Sequence, residues 1–351
     1  TPTPYTCRRQ RQMCIRDRAG PGGLRCASLL AGKGVHVLVL ERNKKIGRKV
    51  CAGGITWGGL INSLPDTLIQ KKFSSQKVRT RYQNILVCGS EPLIATVNRS
   101  ELGLYMAERA ADHGAEIMLG GRAEVILEDR VRYTVGGRSY EVHYDFLIGA
   151  DGSSSKVRKF LGIDESAPQC GIGIHYLVSG AGDDMVWNFN ADIFGSGYSW
   201  VFPHRHCASV GAYLGDSSIP PHQLKKRLDE WLDDQGIELI GARFEADKIN
   251  IDYRGWSFGP RFLIGDAAGL ASPLTGEGIN PAIVSAEAVA SKIIDDSHVP
   301  ESIERIISKH RKHQTLRKTA GRSRLLSLVL SELSGLLLRT RIIGFDKFEM
   351  A

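Results

Sequence analysis

Arg261-Phe262-Leu263-Ile264-Gly265-Asp266-Ala267-Ala268-Gly269 runs on to Ser272-Pro273-Leu274-Thr275-Gly276-Glu277-Gly278-Ile279-Asn280, and this stretch decides the fold. Phe262 to Ile264 is a compact apolar run between turn residues, which predicts a short buried strand. Gly265, Ala267, Ala268 and Gly269 carry almost no side chain, so a bulky group can lie against their backbone. Asp266 is the one polar group in that patch, an acceptor suited to a ligand hydroxyl. Gly276-Glu277-Gly278 then offers bare amides at a predicted helix start, with Asn280 as N-cap and Pro281 at the first helical position. Such amides, at the positive end of a helix dipole, favour an anion. Taken alone, the small residues also fit a tight packing corner between a strand and a helix.

The order GDAAG, proline, GEGIN resembles the FAD-binding signature of flavoproteins with the p-hydroxybenzoate hydroxylase fold, and within that group the geranylgeranyl reductase family. The resemblance implies an α/β protein: a Rossmann-like FAD-binding domain with an inserted β-rich substrate lobe and a helical C-terminal tail. It implies that Asp266 bonds the ribityl chain of FAD and that Gly276, Gly278 and Ile279 face the N1–C2=O edge of the flavin.

Outward from that stretch, Ala19-Gly20-Pro21-Gly22-Gly23 opens a helix pattern that Gly34 closes, and Val35 to Leu40 forms a buried strand ending at Glu41-Arg42. This is the second half of a dinucleotide-binding βαβ unit, with Gly20 and Gly23 in the phosphate turn and Glu41, 21 residues after Gly20, set for ribose hydroxyls. Arg42 beside it is a further candidate contact. Arg18 stands where the glycine pattern calls for its first glycine, and residues 1–18 show no strand or helix pattern. The expectation is that the native start was lost or replaced there.

Three further segments match the family. Lys49 to Thr56 is a Cys-Gly loop; the resemblance puts Cys51 at the flavin face, to assist protonation or shape the pocket, with Gly53 and Gly54 passing close to the ring. A buried free thiol is the bland alternative. Asn98-Arg99-Ser100-Glu101-Leu102 opens an amphipathic helix with Ser100 as N-cap; the resemblance has Arg99 reach the FAD phosphates, where the bland alternative is a surface cap. Asp145 to Gly149 is a buried strand running into Ala150-Asp151-Gly152-Ser153, with Ser155, Val157 and Arg158 at motif spacing, so Asp151 and Gly152 are cofactor candidates.

Residues 115–126, 130–135 and 139–142 predict a β-meander with a hairpin turn at Gly136-Gly137. In the inserted lobe, Tyr198, Trp200 and Phe202 alternate along a predicted strand. An aromatic stripe is usually core, but here it is similar to the family's P-x-x-Y-x-W-x-F-P segment, with Gly195 in place of the leading proline. The resemblance makes these aromatics line a greasy tunnel, with Tyr198 and Trp200 as candidate catalytic positions. The expected organisation is a tail at 1–18, FAD-binding segments 19–78, 98–165 and 252–297, a substrate lobe from 79–97 and 166–251, and a helical tail at 298–351.

The seven cysteines show no CxxC pair or metal-ligand spacing, which argues for reduced thiols in a cytosolic setting and for no metal. Of the net charge of +8, the first 18 residues supply +4, leaving a mildly basic remainder. Eight Lys/Arg fall in 305–324 without aromatic interleaving, so nucleic acid is not an expected partner. They precede a 14-residue aliphatic segment, 325–338, too short to span a bilayer. It either packs over the substrate lobe or lies on a membrane surface. The family resemblance implies reduction of carbon–carbon double bonds in an isoprenoid lipid, with electrons from NAD(P)H or a ferredoxin, and sets no oligomeric state. Two rivals stand beside it: a flavin hydroxylase of the same fold, and a chain that cannot hold FAD.

Overall fold

The computed structural model describes residues 12–16, 19–47, 50–56, 64–163, 168–180, 182–297 and 300–350. Strand Arg261–Leu263 lies in a six-stranded sheet ordered Ser257–Phe258, Arg261–Leu263, Phe146–Gly149, Gln12–Arg16, His36–Glu41, Glu116–Leu119. The last five run parallel. Side chains alternate across the sheet: Ile148, Phe262 and Val39 point to a core shared with helices Pro21–Ala31 and Ile279–Ile294, whereas Leu147, Leu263 and Leu40 point to one shared with the meander and helix Glu301–Ala320.

The expectation of no strand in 1–18 is corrected here. Gln12–Arg16 pairs on both edges, Cys14 opposite Leu147 and opposite Leu38. Two flanking strands supply the backbone partners that this segment's residue types do not announce. Arg18 lies outside the described residues.

The meander forms as expected, with Arg130–Val135 and Arg138–His143 antiparallel around Gly136-Gly137. The run predicted over 115–126 breaks in two, however. Glu116–Leu119 belongs to the parallel sheet and Arg122–Ile126 to the meander, and Gly120, at φ +71°, lets the chain turn between them.

The second lobe is a seven-stranded sheet ordered Arg243–Asn250, Cys170–Val178, Ala208–Leu214, Tyr198–Pro203, Val186–Asn188, Ser75–Arg79, Asn84–Cys88. Helix Pro221–Asp234 covers one face through Leu224, Leu228, Trp231 and Leu232, a helical stripe buried on Phe194 and Val201. Aromatic residues cover the other face. A three-stranded sheet, Gly54–Thr56, Ile94–Val97 and Ile69–Phe73, joins the lobes, and Thr96 Oγ1 donates to Pro203 O at 2.8 Å. Strand pairing therefore crosses the boundaries expected at 78 and 97. The tail is helical, with Glu301–Ala320 and Arg324–Arg339 followed by a 3-10 turn, Phe345–Phe348.

Candidate functional site

Strand Arg261–Leu263 delivers Gly265 and Asp266 to the point where the parallel sheet ends against helices Pro21–Ala31 and Ile279–Ile294. The helices meet closely because Gly22 has no side chain: a Cβ there would stand 2.8 Å from Ala282 O. Arg25 clamps the pair, its Nε and Nη2 donating to Glu287 Oε1 at 2.9 and 2.7 Å. What remains between them is a cleft lined by Gly20, Gly23, Glu41, Arg99, Gly152, Gly265 and Asp266. Gly20 faces open space, with nothing within 4 Å of where a Cβ would be.

The charged groups in this cleft are unequally satisfied. Glu41 is buried and accepts Ala19 N–H at 2.6 Å and Asn43 N–H at 2.7 Å, which fixes its carboxylate. Asp266 accepts Ser153 Oγ–H at 3.1 Å, and Asn250 Nδ2 holds Asp266 O at 2.9 Å. Arg99 differs: its Nη1 is buried with no hydrogen-bond partner. Burial pushes its guanidinium below the usual value, against the pull of Cys51 and Asp266. A buried guanidinium nitrogen without an acceptor is costly, and it suits an anionic ligand held in the cleft. The cap of its helix is Asn98, not Ser100, because Asn98 Oδ1 accepts Ser100 N–H and Glu101 N–H.

Past Arg99 and Asp266, which line both spaces, the cleft opens into an aromatic cavity. Cys51, Gly53, Gly54, Trp187, Tyr198, Trp200, Phe202 and Tyr213 form its walls, with Gly276 to Asn280 along one edge. The stripe Tyr198, Trp200, Phe202 is thus brought onto the cavity as expected, and Trp187 packs among them, its ring tilted 5.3 Å from Tyr198 and edge-on 4.7 Å from Phe202. Both tyrosine hydroxyls are engaged: Tyr198 donates to Thr275 O at 2.7 Å, and Tyr213 to Ser272 O and Pro273 O at 3.2 Å. They fix the 272–275 loop. Cys51 Sγ accepts Gly53 N–H at 3.4 Å. A second apolar cavity, under helix Arg324–Arg339, shares Thr275, Phe345 and Phe348 with the first.

Three sequence expectations change. Asp151 lies outside the cleft lining; its Oδ2 accepts Lys156 N–H at 2.6 Å and Val157 N–H at 3.3 Å, so it fixes the turn, while Gly152 faces the cleft. Arg42 is exposed and turned away, being next to the inward-facing Glu41 on an alternating strand end. Helix 279–294 begins at Ile279 with Gly278 as its cap; Asn280 is inside the first turn and its Nδ2 donates to Met350 O at 3.0 Å. Gly276 N–H is taken by Ser272 O at 2.9 Å, so the open donors of this turn begin at Gly278.

Sequence reading missed Trp187, Glu277, Phe345, Phe348 and Glu349 on the cavity wall. The alternation Trp187, Phe189 was the same kind of signal as Tyr198, Trp200, Phe202; the tail residues had none.

The chain matches a family model described as FAD binding domain over residues 19–179. An uncharacterized protein of Methanosarcina barkeri (strain Fusaro / DSM 804) is 30% identical over 296 residues, covering 80% of this chain and 73% of that protein. The digeranylgeranylglycerophospholipid reductase of Methanosarcina acetivorans is 28% identical over 343 residues, covering 89% of this chain and 82% of that protein. A solved structure of a geranylgeranyl bacteriochlorophyll reductase-like protein from Thermoplasma acidophilum shares the fold, with a TM-score of 0.80 at 19% identity over 96% of this chain and 94% of that one.

Proposed function

This chain belongs to the geranylgeranyl reductase-like family of FAD-dependent oxidoreductases, and on that premise we propose that it saturates carbon–carbon double bonds of an isoprenoid lipid chain. The observation that carries the proposal is the continuity of a polar cleft, ending in an unsatisfied Arg99, with an aromatic cavity and a second apolar cavity beyond it. FAD fits the polar part: Gly20 and Gly23 for the pyrophosphate turn, Arg99 for phosphate, Glu41 for ribose, Asp266 for the ribityl chain. Gly278 and Ile279 would then meet the N1–C2=O edge, with Gly53, Gly54 and Cys51 beside the ring. When bound and reduced, FAD supplies the hydride equivalent, drawn from NAD(P)H or a ferredoxin-type donor. The protein's own part is to lay the chain along Trp187, Trp200 and Phe202, hold it there and exclude water.

The test is anaerobic. Dithionite-reduced protein given a geranylgeranyl lipid should return to its oxidised spectrum and yield a product heavier by two hydrogens per double bond. Turnover that needs O₂ and inserts oxygen would establish the hydroxylase reading instead.

The tail supports delivery from a membrane surface. Helix Arg324–Arg339 buries Ser327, Gly335 and Leu338 and exposes an apolar stripe of Leu325, Val329, Leu333 and Leu336, each 48–68% exposed. No helix among the described residues is long and apolar enough to cross a membrane. Of the basic residues nearby, Arg317 is buried on Gly215 O and Gln169 Oε1, and Arg324 pairs with Asp192, whereas Lys318 and Arg322 are exposed. Each cation near anionic lipid contributes about 1 kcal/mol and each buried leucine up to about 1.5–3 kcal/mol. Changing Leu325, Val329, Leu333 and Leu336 to serine should therefore lower partitioning onto anionic vesicles by roughly tenfold or more, and high salt should lower it partially. Equal sedimentation of wild type and variant with vesicles would refute the surface role.

A further inference from the structure

Alkene reduction needs a proton as well as a hydride, and most protic groups on the cavity wall are committed elsewhere. Tyr198 and Tyr213 donate to backbone carbonyls. Glu277 is placed differently. It stands between Gly276 and Gly278 at the edge of the aromatic cavity, facing the same space as Cys51 and Trp200. Its Oε2 accepts Met350 N–H at 2.8 Å, and among the described residues no donor binds Oε1. Glu349 lines the same cavity from the C-terminal segment, so a second carboxyl connects this wall to the tail.

We propose that Glu277 is the proton donor of the reaction, delivering its carboxyl proton to the alkene carbon that does not receive the hydride. The proposal rests on the reductase reading. The balance is simple. A C–H bond forms as the Glu277 O–H bond breaks, the two electrons arrive with the hydride drawn from reduced flavin, and Glu277 is left as carboxylate. Water, relayed by Glu349, returns the proton for the next turnover.

The surroundings favour a stored proton. Burial pushes the Glu277 carboxyl up to about 7, against the pull of Met350 N–H and Lys309. Glu349 is pushed up to about 8 by burial, then by the charges of Glu277 and Asp346, against Lys309. The other titratable or charged groups lining this cavity are Tyr198, Tyr213 and Asp247 from strands, Cys51 from the loop, and Arg99 and Asp266 where it meets the polar cleft. A carboxyl so raised is a competent general acid at neutral pH.

The sign of the pH effect follows. The donor is present below about pH 7 and lost above it, so turnover should fall as pH rises through that value. Glu277→Gln keeps an acceptor for Met350 N–H and the same shape but carries no transferable proton. It should lower the rate of double-bond reduction by roughly 10²–10⁴-fold, with FAD affinity and reduction by dithionite unchanged. Glu277→Asp should retain part of the rate and the falling limb. Independently of turnover, infrared spectra of protein labelled with ¹³C-glutamate should show a protonated carboxyl band that disappears near pH 7 in wild type and is missing in Glu277→Gln. A wild type that turns over beside an unimpaired Glu277→Gln overturns the donor assignment alone, as does a band titrating near pH 7 that persists in the variant; the Glu349 band, titrating near 8, is expected in both proteins. A wild type that reduces no isoprenoid overturns the reductase reading and this proposal together.

Discussion

Replacing Arg99 by methionine is expected to weaken FAD binding by roughly 30-fold or more while leaving the ligand-free protein at least as stable. Arg99 enters the cleft from the first turn of its helix with Nη1 buried and unpartnered, and burial alone accounts for the downward pull on its charge. In the ligand-free state this guanidinium is a liability, because a buried charged donor without an acceptor forfeits its hydration. Against a phosphate the same group gains a charge-assisted bond, and removing one partner of such a buried pair costs about 2–5 kcal/mol. The lower figure is about 30-fold in Kd. Methionine keeps the apolar stem, so its melting temperature should match or exceed that of wild type. Arg99→Lys should fall between, since an ammonium lacks the planar fork. Parallel titrations of wild type and variants with FAD, followed by flavin fluorescence, decide the matter: an affinity within threefold of wild type for Arg99→Met would remove Arg99 from the cofactor site.

Much of this site was legible because its chemistry is local. Gly265 and Ala267 to Gly269 must be small, Gly136-Gly137 must turn, and Phe146 to Gly149 must be buried, and each requirement is written in neighbouring residues. What escaped reading depends on distant partners. Gln12–Arg16 begins with a polar residue and ends with a cation, so no periodic signal marks it; strands from residues 36 and 146 onward hold it in line through backbone pairing. Asp151 was a cofactor candidate through the family motif it shares with Ser155, Val157 and Arg158, yet the amides of Lys156 and Val157, five and six residues on, bond its Oδ2. Arg317 looked like one more solvated cation in a basic run, and only the loop at Gly215 shows why it is buried. Glu277 lay inside the quoted signature, but its partner Met350 is 73 residues away.

Arg158 carries the second large effect: Arg158→Met should destabilise the protein by about 3–5 kcal/mol, the range for removing one partner of a buried ion pair. Its side chain is 1% exposed, and it donates from Nη1 to Asp252 O at 2.8 Å and from Nη2 to Asp252 Oδ2 at 3.0 Å. The residue it holds belongs to the segment that fixes the FAD signature. Asn250 Oδ1 accepts Asp252 N–H at 3.0 Å, while Asn250 Nδ2 donates to Asp266 O at 2.9 Å. Gly269, at φ +77°, packs so close to Asp252 that a Cβ there would stand 2.3 Å from its carbonyl oxygen. Methionine would leave that carbonyl desolvated without the Arg158 donor and would strip Asp252 Oδ2 of one of its two cations. Arg254 still reaches Asp252 Oδ2 at 2.9 Å, so the lower part of the range is the firmer expectation. Adding Asp252→Asn removes a buried charge that has lost one of its two cations and should recover part of the loss, because replacing both partners costs less than orphaning one. Urea unfolding of the two single variants and the double variant gives the coupling directly. A loss under about 1 kcal/mol for Arg158→Met, or strict additivity in the double variant, would mean that the turn after strand Phe146–Gly149 holds the signature without this arginine.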